Sequence, residues 1–118
     1  MQIVNLTPHA VSLLLNEFGT TLTIAPEPTP ARVGVTNSAP VEMDGIPVPV
    51  QGAPIYGQVE GLPAEAPGTI YIVSGIVLAQ AIGRTDVFAP ATGPNDNPIR
   101  NAAGQIVAVT LLNAAPKA

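Results

Sequence analysis

Two groups of residues in this 118-residue chain have the types and spacing to do chemistry. The first is Asn5-Leu6-Thr7-Pro8-His9, in which three hydrogen-bonding side chains fall at alternate positions. Side chains on extended backbone alternate between faces, so Asn5, Thr7 and His9 would point the same way. Such a polar row could line a pocket; it could equally tie down a neighbouring turn. The second group is Ser74, Arg84, Asp86 and Arg100. A strand that ends at Ser74 and opens a helix leaves free N–H groups there, which suit an anion. Arginine's planar fork donates paired hydrogen bonds to phosphate. Tyr56 or Tyr71 would supply a stacking face. The competing reading is a surface Arg84–Asp86 pair beside a solvated Arg100.

Most enzyme chemistries lack their side chains. There is no cysteine, which removes disulfides, thiol catalysis and Cys-ligated metal sites. His9 is the only histidine, and one histidine does not build a structural zinc site. A Ser74–His9–Asp86 arrangement exists on paper, but Ser74 is not in a nucleophile-elbow sequence. The carboxylates, Glu17 among them, are sparse, fall mostly in turns, and show no spacing that suits acid–base work. Neither a P-loop nor a Gly-x-Gly-x-x-Gly fingerprint occurs. We therefore expect a binding protein rather than an enzyme, with no metal and no cofactor.

Net charge is −4 and the cations are four: Arg32, Arg84, Arg100 and Lys117. Duplex binders neutralise several phosphates with clustered basic side chains, so a nucleic-acid duplex is not an expected partner. A small phosphorylated ligand held by one or two arginines is, since that demand is local. Apolar residues make up 47% and charged ones 10%, which argues against disorder and for apolar surface covered by a partner; a homo-oligomer is expected. No basic segment followed by an apolar run opens the chain, and the longest apolar stretch, Thr69 to Ile82, is interrupted and short for a bilayer. The expected location is the cytoplasm, or a particle assembled in one; no membrane is expected.

The elements that must position these residues are short. Fourteen prolines and eleven glycines punctuate the chain every few residues, as in a protein of many strands joined by turns. Val4 to Leu15 reads as extended with a kink at Thr7-Pro8. Asn16-Glu17-Phe18-Gly19 is a turn signal joining Val11–Leu15 to Thr21–Ile24 in a hairpin. Ala31–Thr36, Ile46–Val50 and Ile55–Val59 are further extended segments, with Asp44-Gly45 a tight turn; Pro47 and Pro49 make Ile46–Val50 an edge strand or an extended loop. Thr69 to Val73 is strongly β. A helix of about ten residues is expected from Ser74, a good N-cap, to Gly83, a good helix stop; residues 76–78 are branched or apolar enough to extend the strand instead. Asp86–Phe88 and Gln105–Leu112 are the last strands, separated by a long loop from Ala89 to Gly104 of the kind that is often functional. Fold class is α+β: one small mixed or antiparallel β-rich domain over residues 1–112 with one short helix, and a tail over residues 113–118 that frays.

The opening Ile3-Val4-Asn5-Leu6-Thr7-Pro8-His9-Ala10-Val11 resembles that of a family of small uncharacterised proteins found in bacteriophages and bacterial genomes, many of them actinobacterial. The resemblance continues in Tyr56-Gly57-Gln58-Val59 with Gly61-Leu62-Pro63, and in Gly68-Thr69-Ile70-Tyr71-Ile72-Val73-Ser74. It runs on in Arg84-Thr85-Asp86-Val87 with Pro90, and in Ile99-Arg100-Asn101 with Gly104-Gln105-Ile106-Val107. The chain departs from it at Asn101, where many relatives carry Asp, and at Ala108 to Leu112, where they close with Gly and Arg. The resemblance implies a phage or mobile-element origin. By context and size the chain is then similar to phage anti-defence sponges that sequester nucleotide immune signals, cyclic oligonucleotides or cyclic ADP-ribose variants, in oligomers. A sponge would use Arg84 and Arg100 for phosphate, Ser74 and the following N–H groups as donors, Asp86 beside them, and Asn5, Thr7 and His9 for base or ribose. The alternative is a virion structural, decoration or assembly protein. A hydrolase of the same nucleotides, working through His9 and Asp86, ranks third.

Overall fold

Branched and aromatic residues at Thr69 to Ile72 fit a pleated, buried strand, and that segment is the middle of the fold. The computed structural model describes every residue except Glu17. In chain order its strands are β1 (Gln2–Asn5), β2 (Val11–Leu14), β3 (Thr21–Ile24), β4 (Arg32–Thr36), β5 (Ile55–Glu60), β6 (Thr69–Ile72), β7 (Val87–Pro90), β8 (Ile99–Arg100), β9 (Ile106–Ala108) and β10 (Leu112–Ala114). The helix α1 (Gly75–Gln80) lies between β6 and β7. The chain is thus a small β-rich domain with one short helix.

The central sheet runs β1-β6-β7-β10. β1 and β7 flank β6 in parallel, and β10 returns antiparallel to β7, so this sheet is mixed. Parallel neighbours need a crossover, and α1 supplies it between β6 and β7. One face of the sheet and the helix enclose the core: Leu6, Tyr71, Val73, Val77, Leu78 and Val87 are all buried there. Around it lie three two-stranded pairs: β2–β3, β4–β5 and β8–β9.

Three expectations are corrected. The helix covers six residues rather than about ten, because Ala81 leaves helical backbone (ψ 47°) to place its methyl in the core. Gly83 then takes φ +83°, a region other residues rarely adopt. The tail from Asn113 does not simply fray: Leu112–Ala114 is a strand paired with β7, and the Gly83 N–H donates to the Pro116 carbonyl at 2.8 Å. The loop from Ala89 to Gly104 holds structure of its own, since Ala89 and Pro90 belong to β7 and Ile99–Arg100 pairs with β9. Its remainder is tied down by Asp96, which accepts from the Gly93 N–H, and by the Thr110 hydroxyl, which donates to the Asp96 carbonyl.

The expected hairpin of β2 and β3 is present, with Val11 opposite Ile24 and Leu14 opposite Thr21; its turn includes Glu17, which lies outside the described residues. The Asp44-Gly45 turn is present too, closed by the Ile46 N–H donating to the Met43 carbonyl. Ile46 to Val50 pairs only at Val50, which bridges Val41. Together with β4 and β5 this makes one long antiparallel excursion. Where it narrows, the Asn37 amide donates to the Gly52 carbonyl, and a side chain on Gly52 would collide with the Ser38 hydroxyl.

The molecule is drawn out by this excursion. Its Cα radius of gyration is 17.3 Å, against about 13.5 Å for a compact domain of this length, and its extents are 56 × 39 × 28 Å.

Candidate functional site

Asn5 ends β1 with its side chain wholly buried. Its amide nitrogen donates to the His9 carbonyl (2.8 Å) and to the Ile24 carbonyl at the end of β3 (2.9 Å). Its amide oxygen accepts from the Thr7 N–H at 2.9 Å. The Thr7 hydroxyl, also buried, lies 2.6 Å from that oxygen and 2.8 Å from the His9 carbonyl, and gives its one proton to either. Two carbonyls on one side and an N–H on the other fix which way the amide points. The backbone joins in: the Glu27 N–H donates to the Asn5 carbonyl, and the Ala31 N–H to the Leu6 carbonyl.

The row Asn5, Thr7, His9 is therefore not one face of a strand. Pro8 pushes Thr7 away from helical backbone, and the chain bends through residues 7–9 so that Asn5 and Thr7 close on the turn itself. Of the two readings open from the sequence, tying down a turn describes Asn5 and Thr7. His9 contributes its carbonyl to this knot and leaves its ring exposed.

The second group splits. Arg84 faces Asp86 with two parallel hydrogen bonds of 2.9 Å, Nε to Oδ1 and Nη2 to Oδ2. Nη2 also donates to the Pro63 carbonyl at 2.9 Å, and Glu65 stands 3.7 Å from Nε. Side-chain exposure is 21% for Arg84 and 12% for Asp86, so the pair is largely withdrawn from water. These bonds hold the Asp86 carboxyl below the ordinary carboxylate range, outweighing the opposite push of burial, and raise the Arg84 guanidinium. Tyr71 completes the cluster. It is buried, its N–H donates to the Asp86 carbonyl, and its hydroxyl reaches the Ala64 carbonyl at 3.4 Å. Arg84, Asp86 and Tyr71 together pin the turn over residues 61–65 to the start of β7.

Ser74 caps α1 by accepting from the Val77 N–H at 3.4 Å. Arg100 lies on the β8–β9 ribbon and donates to the Gly104 carbonyl of its own turn at 2.7 Å. No hydrogen bond or ion pair among the described residues joins Arg100 to Ser74, Arg84 or Asp86. Tyr56 stands on β5 opposite Val35, 41% exposed. The nine residues singled out from sequence thus form two internal knots, Asn5–Thr7–His9 and Tyr71–Arg84–Asp86, with Ser74, Tyr56 and Arg100 apart. No three metal-binding side chains gather among the described residues, and none of the described helices is long and apolar enough to cross a membrane.

The surface that is left unpaired is apolar. Over residues 34–58 every residue is exposed except Val50 and Gly52, which are partly covered. Val41, Met43, Ile46 and Val48 stand between 45% and 62% exposed in that arm. At another place the segment after β9 runs beside β2: the Leu14 N–H donates to the Val109 carbonyl and the Val109 N–H to the Ser12 carbonyl, both at 2.9 Å. Two grooves of about 140 and 260 Å³ flank this seam and share Val109, with Val107 on the rim of one and Leu111 on the rim of the other. Sequence reasoning expected covered apolar surface without locating it; the locating signal was 25 consecutive residues carrying only Glu42 and Asp44 as charges.

Fold and site define a β-rich domain with a closed polar interior, a projecting two-stranded arm and an apolar seam. No known protein family, curated protein or solved structure matches the chain.

Proposed function

We propose that this protein is a non-enzymatic structural subunit that acts by assembling with copies of itself; the resemblance of its opening supports a phage particle, or the building of one, as the setting. One observation carries the reading. The chain exposes 7881 Å² at a mass of 12.0 kDa, roughly 1,900 Å² more than the ~6,000 Å² usual for a folded monomer of that mass. A standard stable interface covers about 800 Å² per partner, so the excess is enough for more than one. The exposed excess is rich in Val, Ile, Leu and Met, which monomers seldom leave in contiguous patches.

The nucleotide-sequestering reading draws less support. Arg84, its principal phosphate ligand, already serves Asp86 and Pro63, and Asn5 and Thr7 have used their hydrogen-bonding capacity internally. Light scattering after size exclusion tests the proposal. The expected mass is a multiple of 12.0 kDa at micromolar concentration, and a strict monomer refutes self-assembly. A saturable rise in melting temperature with cyclic oligonucleotides or cyclic ADP-ribose would replace the structural reading with the sequestering one.

A further inference from the structure

We propose that residues 34–58 are an assembly arm and that its seat is the β2–β9 seam of a second copy of this chain; this rests on the self-assembly reading above and says which surfaces carry it. The arm has no interior of its own. An isolated two-stranded ribbon is marginal in water, and beyond the β4–β5 ladder at Val35–Tyr56 and Thr36–Ile55 this one holds its register only through the Val41–Val50 bridge and the bond from Asn37 to Gly52. Its apolar side chains therefore need a surface outside the arm. The arm is rooted on α1, which packs against β4 and β5, whereas the seam is built by β2 and β9. One chain thus carries both a projecting apolar element and a pair of apolar grooves. Its roughly 25 residues fall within the 20–30 a side that stable interfaces use.

Charge selects the same partner. Glu42 and Asp44 flank the arm's tip, and no described cation lies within 4.0 Å of either. Arg100 pairs across the ribbon with Ile106, which lines the smaller groove, and no described carboxylate lies within 4.0 Å of it. An acidic tip seated beside Arg100 brings opposite charges together where the apolar side chains enter the seam, which favours this docking over a like-charged one. Because arm and seam are different patches, each contact taken singly is heterologous and closes as a ring; two such contacts exchanged about a two-fold axis make an isologous dimer instead.

The absence of cysteine makes the test direct. Ile46→Cys is mixed with Leu111→Cys, and separately with Val107→Cys, and oxidised at a concentration where the protein is oligomeric. Disulfide-linked pairs are expected in a mixed sample and not in any variant alone. Met43→Asp with Ile46→Asp should weaken self-association at least ~100-fold, the effect of losing two anchor residues, with the circular dichroism spectrum unchanged because neither residue belongs to the core. Arg100→Glu should also weaken it, and Glu42→Arg with Asp44→Arg in the same chain should restore it. An oligomer whose mass is unaffected by the arm variants and which gives no mixed cross-link overturns the arm inference while leaving self-assembly standing. A monomeric wild type overturns both.

Discussion

Replacing Asn5 separates a structural knot from a ligand-reading residue, because the two roles predict different stabilities. Asn5→Ala removes the donor that serves the Ile24 carbonyl and the acceptor that serves the Thr7 N–H; the Thr7 hydroxyl can still give its proton to the His9 carbonyl. The buried Thr7 N–H then loses its partner at about 1–3 kcal/mol and the part-buried Ile24 carbonyl at about 1–2 kcal/mol, so the cost should be about 2–5 kcal/mol. At about 4 °C per kcal/mol, the melting temperature should fall by roughly 10–20 °C. Asn5→Asp is the sharper probe. It keeps the acceptor for Thr7 but turns an oxygen toward the His9 and Ile24 carbonyls, in a site with no exposure to water. Ionised, this side chain should be worse than alanine. Protonated, it can donate to one carbonyl and should be better than alanine. Burial and the facing carbonyls raise its folded pKa above the ~3.9 of an unfolded Asp, so between those values the native state binds more protons and stability grows as pH falls. Urea titrations followed by circular dichroism at pH 7.5 and pH 4.5, at one protein concentration, should therefore show the order of the two variants reversing. A loss under about 1 kcal/mol for Asn5→Ala, or an Asp variant that tracks Ala at both pH values, would refute the knot.

Arg84→Gln should cost about 2–3 kcal/mol by leaving Asp86 without its paired donor and the 61–65 turn unpinned, read from denaturant midpoints. Asp86 has its folded pKa lowered by its hydrogen bonds from Arg84, so the pair's contribution is full above the unfolded value near 3.9 and is lost as pH falls through the folded one; the gap in stability between wild type and Arg84→Gln should narrow over that acid range. Deleting residues 112–118 should destabilise by at least ~2 kcal/mol, because it strips β7 of its antiparallel partner and the core of Ala115, whereas deleting only residues 117–118 should change the midpoint by less than about 0.5 kcal/mol. Gly83→Ala should cost about 1–2 kcal/mol, since it forces a side chain into φ +83° with its Cβ 3.2 Å from that of Ala118; a neutral effect on the thermal midpoint would deny the helix stop.

Local signals were legible and distant ones were not. The β2–β3 hairpin and the Asp44-Gly45 turn follow from turn residues placed beside the elements they join. β4 and β5 were each readable as extended, yet their pairing spans eighteen intervening residues, and nothing in either strand names the other. The same holds for Leu112–Ala114, which looks like a tail until β7 is beside it. Within the candidate site, alternation placed Asn5, Thr7 and His9 on one face only if the backbone stayed extended past Pro8. It does not, and an Asn buried at a strand end captures the bend instead. Arg84 and Asp86, two apart, were readable as a pair or as an anion site. Geometry favours the pair because the Pro63 carbonyl and Glu65, far away in sequence, complete the guanidinium's surroundings.

What separates the functional readings is where interaction capacity remains unused. A ligand site in a protein with so few charges would show polar groups aimed into a cavity and lacking partners; among the described residues, no buried side-chain nitrogen or oxygen is without one. Asn5 has both donors and its acceptor engaged, and Arg84 has its Asp86 fork and a carbonyl. The unused capacity is hydrophobic and lies largely on the arm and the seam, with Phe18, Ile76 and Ile82 exposed apart from both. Apolar surface is non-directional and favours association in rough proportion to area, so side chains of this kind held outward are what the proposed self-assembly calls for. In the proposed docking, Glu42, Asp44 and Arg100 would contribute little to affinity and much to register, as charges at the edge of an apolar contact do.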